Sequence, residues 1–215
     1  MKKHSGKFLK VTTVLFATFV LWTLAVCFLD VGAIGPLNST VGLAGINQFI
    51  HSLTGVNFTL YTITDWAGLI PVGVCLAFTI LGLVQWIRRK NILKVDFSIL
   101  VLGGFYILTI ITYLFFEDFV INYRPVLING YLEVSYPSST TLLVLCVMPT
   151  TIMQLNSRIR NRIMKRCVSA VISVFIAFMV MGRIFSGVHW FSDIIGGILL
   201  SSGLVMLYYS VVNLK

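Results

Sequence analysis

Residues 66–90 read WAGLIPVGVCLAFTILGLVQWIRRK, an uncharged apolar run from Trp66 to Ile87 closed by the basic triplet Arg88-Arg89-Lys90. A helix of roughly 20 apolar residues spans the hydrocarbon core of a bilayer. Backbone groups in lipid must be satisfied within the segment or by closure of a barrel. This run is continuously apolar instead of alternating, so it predicts a transmembrane helix and not a barrel strand. Outward from it, the same reading places further spans at 11–29, 97–116, 138–156, 167–184 and 190–212. With 58% hydrophobic and 11% charged residues, the chain has too little polar surface to cover a soluble domain. The expected fold class is therefore all-α: a polytopic six-transmembrane-helix bundle forming one membrane domain over 1–215.

Basic residues near span ends collect on the cytoplasmic side. Lys2, Lys3, Lys7 and Lys10 precede the first span, Arg88, Arg89, Lys90 and Lys94 follow the second, and Arg158, Arg160, Arg162, Lys165 and Arg166 follow the fourth. Lys215 ends the chain. Both termini are thus expected in the cytoplasm of a multi-pass protein of the plasma membrane. The run at 11–29 is read as an uncleaved first helix, being longer than the apolar part of a secretory signal. The net charge of +9 follows this topology and the anionic inner leaflet, so nucleic acid is not an expected partner. Cys27, Cys75, Cys146 and Cys167 stand singly, without the spacing of disulfide or metal sites. The long outer loop 30–65 mixes Gly, Asn, Ser and Thr with Val41, Ile46, Phe49 and Leu53. It is expected to lie along the membrane as one or two short helices, either as a packed connector or as a lid.

Only Arg124 and Arg183 depart from the basic distribution, and both fall at the opposite, outer side. Polar groups retained at span ends on one side are the default place to look for a site. They form three groups. Glu117 to Pro125 closes the third span and carries Arg124. Pro137-Ser138-Ser139-Thr140 opens the fourth, where small hydroxyl residues and free backbone N–H groups at a helix start suit either a simple cap or an anion. Gly182 to Asp193 joins the fifth and sixth spans and holds Arg183, His189 and Asp193. Guanidinium groups offer bidentate recognition of phosphate. A carboxylate one helical turn after a histidine can fix its tautomer and leave the other ring nitrogen free to attack.

Taken together, these groups resemble the three signatures of the type 2 phosphatidic acid phosphatase superfamily, K-x6-R-P, P-S-G-H and S-R-x5-H-x3-D. Here they read E-x6-R-P from Glu117 to Pro125, P-S-S-T from Pro137 to Thr140, and G-R-x5-H-x3-D from Gly182 to Asp193. The resemblance implies a membrane phosphatase with an outward-facing active site. In it His189 is the nucleophile that forms a phosphohistidine and Asp193 orients it. Arg124, Arg183, Ser138 and the backbone around Ser139 hold the phosphoryl oxygens. No metal or cofactor is implied, and the partners are the bilayer and a membrane lipid phosphate or polyprenyl diphosphate substrate.

Three positions depart from the family pattern. Glu117 replaces its lysine, Thr140 replaces the histidine that acts as general acid, and Gly182 replaces a serine. Losing a general acid costs about 10²- to 10⁴-fold. An active site of this composition is therefore expected to favour diphosphate lipids, whose leaving group needs little protonation, unless His51 folds over the site and supplies the proton. The alternative expectation is a catalytically eroded relative that binds lipid phosphate or acts as a membrane interaction protein.

Overall fold

In the computed structural model, which describes residues 2–213 and side chains from residue 6, the apolar runs fold as helices. Lys215 and the side chains of Lys2 and Lys3 lie outside the described part. The helices are α1 (Lys2–Phe28), α2 (Ala44–Thr54), α3 (Phe58–Ala67), α4 (Leu69–Arg89), α5 (Phe97–Asp118), α6 (Ser139–Arg158), α7 (Arg162–Ser186) and α8 (Phe191–Val212). Six stretches are long and apolar enough to cross a membrane: Gly6–Phe28, Phe58–Arg89, Phe97–Asp118, Ser139–Arg158, Arg162–Ser186 and Phe191–Val212. Among the described residues only isolated β-bridges occur outside the helices. The chain is an all-helical, multi-pass membrane protein.

Local chemistry sets the helix ends. Asn161 caps α7 by accepting from the N–H groups of Ile163 (2.8 Å) and Met164 (3.1 Å), which starts the helix before the 167 expected from hydropathy. Basic residues in that first turn extend their heads toward water. At its other end Gly187 takes a left-handed φ of 64°, and a Cβ there would lie 1.8 Å from the Gly55 carbonyl oxygen. Only glycine fits.

The second span differs most from expectation. It begins at Phe58, inside the segment expected as an outer loop, because Asn57 caps α3 through Leu60 N–H (2.9 Å). The charge of Asp65 that set the expected boundary is matched by Arg183 (2.9 Å). The pause between α3 and α4 at Gly68 follows from Pro71, which has no N–H for the carbonyl of Ala67. In the rest of the outer segment, α2 leaves Ile46, Phe49 and Leu53 exposed, as suits a helix lying in an interface.

α8 is the hub and packs on α1, α6, α5 and α2. Small residues permit the contacts, as is usual between membrane helices. A Cβ at Gly196 would meet the Tyr136 ring at 2.6 Å, and one at Gly203 would meet Phe16 at 3.1 Å. Leu102, Phe105, Leu142, Val147, Met179, Leu200, Leu204 and Tyr208 fill the interior. The three loops carrying the polar groups meet at one end of this bundle.

Candidate active site

Each loop is pinned before its functional side chain is presented. Between α5 and α6 the chain folds back as a hairpin: Arg124 N–H donates to Glu133 O (3.0 Å) and Ser135 N–H to Asn122 O (2.9 Å). Its turn is Asn129-Gly130, with φ values of 50° and 83°, the pair best suited to a tight hairpin turn. Trp190 Nε1 donates to Tyr123 O at 2.8 Å, fastening this hairpin to the start of α8. The next element, α6, is tied to α8 by a bond from Ser138 N–H to Asp193 O (3.0 Å). His51 Nε2 bonds to Gly187 O (3.1 Å) and its ring sits 5.4 Å from that of Trp190. A carbonyl can only accept, so that nitrogen of His51 is the donor.

His189, Asp193, Arg124, Arg183 and Thr140 converge where these loops meet. His189 Nε2 lies 3.3 Å from Arg124 Nη1. Arginine only donates, so this ring nitrogen accepts, and a neutral imidazole then carries its proton on Nδ1. Nδ1 faces Asp193 Oδ2 at 3.8 Å. Burial, reinforced by the Arg124 charge and opposed by Asp193, pushes the histidine down to about 4. The ring is therefore neutral at physiological pH, with an unprotonated Nε2 beside a guanidinium.

Asp193 is held from all sides. Trp190 N–H donates to Oδ2 (3.0 Å), which caps α8, and Asn122 Nδ2 donates to Oδ1 (3.0 Å). Behind it, Asn47 of α2 binds Ser192 through Nδ2 to Oγ (2.9 Å) and Oδ1 from N–H (3.0 Å). Asn47, Asn122, Ser192 and Asp193 are all buried. Neither asparagine stands out in the sequence reading. Their partners lie far along the chain, and the only local hint was Asn129-Gly130, which predicts a hairpin that brings residue 122 back toward the bundle.

Arg183 is almost wholly buried. Its Nη2 donates to Asp65 Oδ1 (2.9 Å) and to Thr140 Oγ1, while Nε and Nη1 have no hydrogen-bond partner. Arg124 Nε lies 3.0 Å from Glu133 Oε2. Tyr61 of α3 stands between the two cations, its ring centroid 5.8 Å from the Arg124 guanidinium carbon and 5.1 Å from that of Arg183. Asp65, Tyr61 and Glu133 thus join the site without having been singled out by sequence.

The remaining expected positions fall into place unequally. Ser138 is fully buried, with its N–H taken by Asp193 and its Oγ accepting from Thr141 (3.0 Å). Any anion at this helix start would meet the N–H groups of Ser139 and Thr140 instead, which have no intrahelical partner. Glu117 is exposed but lines a small cavity with Ser139 and His189. Gly182 faces α3, where a Cβ would lie 2.6 Å from Thr64 Cγ2, so the departure from serine follows from packing. A larger cavity of about 370 Å³ runs between α4, α5 and α6. Its wall is apolar along Leu69, Val72, Ile110 and Leu143, and its polar end is Asp65, Ser139 and Thr140.

The PAP2 superfamily model matches residues 97–215, more than half of the chain and all three loops described above. A comparison with curated proteins finds no match. Among solved structures the chain is similar to one described as the first transmembrane PAP2 type phosphatidylglycerolphosphate phosphatase from Bacillus subtilis. That similarity has a TM-score of 0.55 and 18% sequence identity, and covers 92% of this chain and 94% of that one. At this identity the likeness is one of fold.

Proposed function

The chain belongs to the PAP2 superfamily, and from that premise we propose that it is a membrane phosphatase acting on lipid phosphates, polyprenyl diphosphates above all, through a phosphohistidine at His189. The observation that carries this reading is the convergence on His189 of two arginines. Arg183 keeps two buried N–H positions, Nε and Nη1, without an acceptor. Unpaired buried donors are costly, and phosphoryl oxygens supply the acceptors they lack.

In this reaction His189 Nε2 attacks phosphorus while the leaving oxygen departs. The proton on Nδ1 stays toward Asp193, whose carboxylate stabilises the positive charge that develops on the ring. Arg124, Arg183 and the backbone N–H groups of Ser139 and Thr140 at the start of α6 stabilise the equatorial oxygens. Water then attacks the phosphohistidine and releases phosphate. The 370 Å³ cavity, apolar with a polar end, suits a lipid chain with its phosphate at the site.

The hydroxyl of Thr140, which accepts from Arg183, is far too weak an acid to replace a histidine as proton donor at neutral pH. His51 donates to Gly187 O, which makes it a brace on the α7–α8 turn. A phosphate leaving group needs no such acid, so a diphosphate is the favoured substrate. Following the distribution of Lys and Arg, the site faces the outside of the plasma membrane with both termini in the cytoplasm.

Phosphate release by the purified protein from a polyprenyl diphosphate, beside a lipid phosphomonoester and the variant His189→Ala, tests this reading. Faster release from the diphosphate, abolished in the variant, is expected. Equal or monoester-favouring rates would sink the diphosphate preference. No release from folded protein with any lipid phosphate would favour an eroded lipid-phosphate-binding relative instead, for which the substitution at Thr140 is the motive.

A further inference from the structure

Resting on the phosphatase reading above, we propose that Asp65 tunes the phosphate affinity of the site: its carboxylate is a resident anion at Arg183 that a phosphoryl oxygen must displace. A guanidinium grips phosphate bidentately through Nη2 together with either Nε or Nη1. In this structure Asp65 and Thr140 both take Nη2, while Nε and Nη1 remain without partners. Both forks are therefore half blocked at the nitrogen they share. A phosphoryl group reaches a bidentate grip only when Nη2 is given up.

The partner that gives way is Asp65. Its side chain is 59% exposed, against 1% for Arg183. An exposed carboxylate leaves an ion pair at little cost because water replaces the partner, whereas the arginine is fixed in the interior. Asp65 also stands at the polar end of the 370 Å³ cavity beside Ser139 and Thr140, where the headgroup enters in the reading above. Its helix is anchored independently of the ion pair. Tyr61, Thr64 and Asp65 share one face of α3 at i, i+3 and i+4. Tyr61 stands between the arginines, Thr64 fits against Gly182, and Asn57 N–H donates to Ser186 O (2.9 Å). Asp65 can swing away while α3 stays. The consequence is a site that holds inorganic phosphate less tightly than its two arginines allow, and so returns the product after each turnover.

The test is a titration of the unfolding temperature with inorganic phosphate in the native protein and in Asp65→Asn, Asp65→Glu and Asp118→Asn, which needs no turnover. Asp118 is an exposed carboxylate at the end of α5, so its variant measures the effect of losing one negative charge without touching Arg183. Asp65→Asn is expected to bind phosphate about 2- to 5-fold more tightly, the upper part of the range of an exposed ion pair. Asp65→Glu and Asp118→Asn are expected to match the native protein. Equal binding in the native protein and Asp65→Asn overturns the inference and leaves the phosphatase reading standing. So does equal tightening in Asp118→Asn or in Asp65→Glu. Absence of phosphate binding in every variant overturns both.

Discussion

His189 and Asp193 approach no closer than 3.8 Å, yet the rest of their surroundings fixes both. The imidazole sits between a cation on Nε2 and an anion on Nδ1, and burial holds its titration near 4. Two consequences follow. The acid limb of the activity profile belongs near pH 4 and not near the ordinary histidine value of about 6.5. Stability also acquires a pH term. The folded value is below the unfolded one, so the unfolded chain binds the proton first. This contribution is complete above about pH 6.5 and is lost as pH falls toward 4. Unfolding temperature followed from pH 8 to pH 4 is expected to fall less steeply for His189→Asn than for the native protein; parallel curves would contradict the assignment. Asn122 is the second residue to test. Asn122→Leu removes a donor to the buried Asp193 carboxylate, with an expected loss of about 1–3 kcal/mol in stability and a fall in kcat of roughly 10- to 100-fold at nearly constant KM. A stability loss with unchanged kcat would reduce Asn122 to a support of the fold.

At the scale of the element, α3 separates what the sequence discloses from what it hides. The six runs were legible because lipid imposes continuous apolarity, and the three motif loops because Arg124, Arg183 and His189 stand out against it. Phe58 to Asp65 falls by sequence in the outer segment expected as short helices along the membrane, outside the second span, since Asp65 ends the uncharged run when only neighbours in sequence are counted. Its neutralising partner, Arg183, lies 118 positions away and becomes visible only when α3 packs on α7. The same packing explains Gly182, which looked like a lost motif serine. Restoring it as Gly182→Ser is expected to cost about 1–3 kcal/mol through overpacking against Thr64. Thr64→Ala in the same chain should recover most of that loss. Thermal unfolding of the two single variants and the double variant checks this, and additive losses would contradict it. Asn129-Gly130 is the contrary case, a hairpin signal present in the sequence and left unread there.

For the whole molecule, the alternation of six spans places the hairpin, the α2–α3 segment and the α7–α8 turn at one end, with the basic loops around residues 88–94 and 158–166 at the other. In the proposed orientation, argued from the distribution of basic residues, the end with the site faces outward. With the four native cysteines replaced, Asn129→Cys is expected to react with a membrane-impermeant maleimide added to intact cells, and Arg160→Cys only after the membrane is breached. The reverse pattern would turn the site inward. Covalent chemistry at His189 leaves an intermediate that can be trapped. Protein is mixed with a radiolabelled polyprenyl diphosphate, quenched in alkali, which preserves phosphohistidine, and digested. Label is expected on the peptide containing His189 and none in His189→Ala. Phosphate release at an undiminished rate from His189→Ala, with label elsewhere or nowhere, would contradict it.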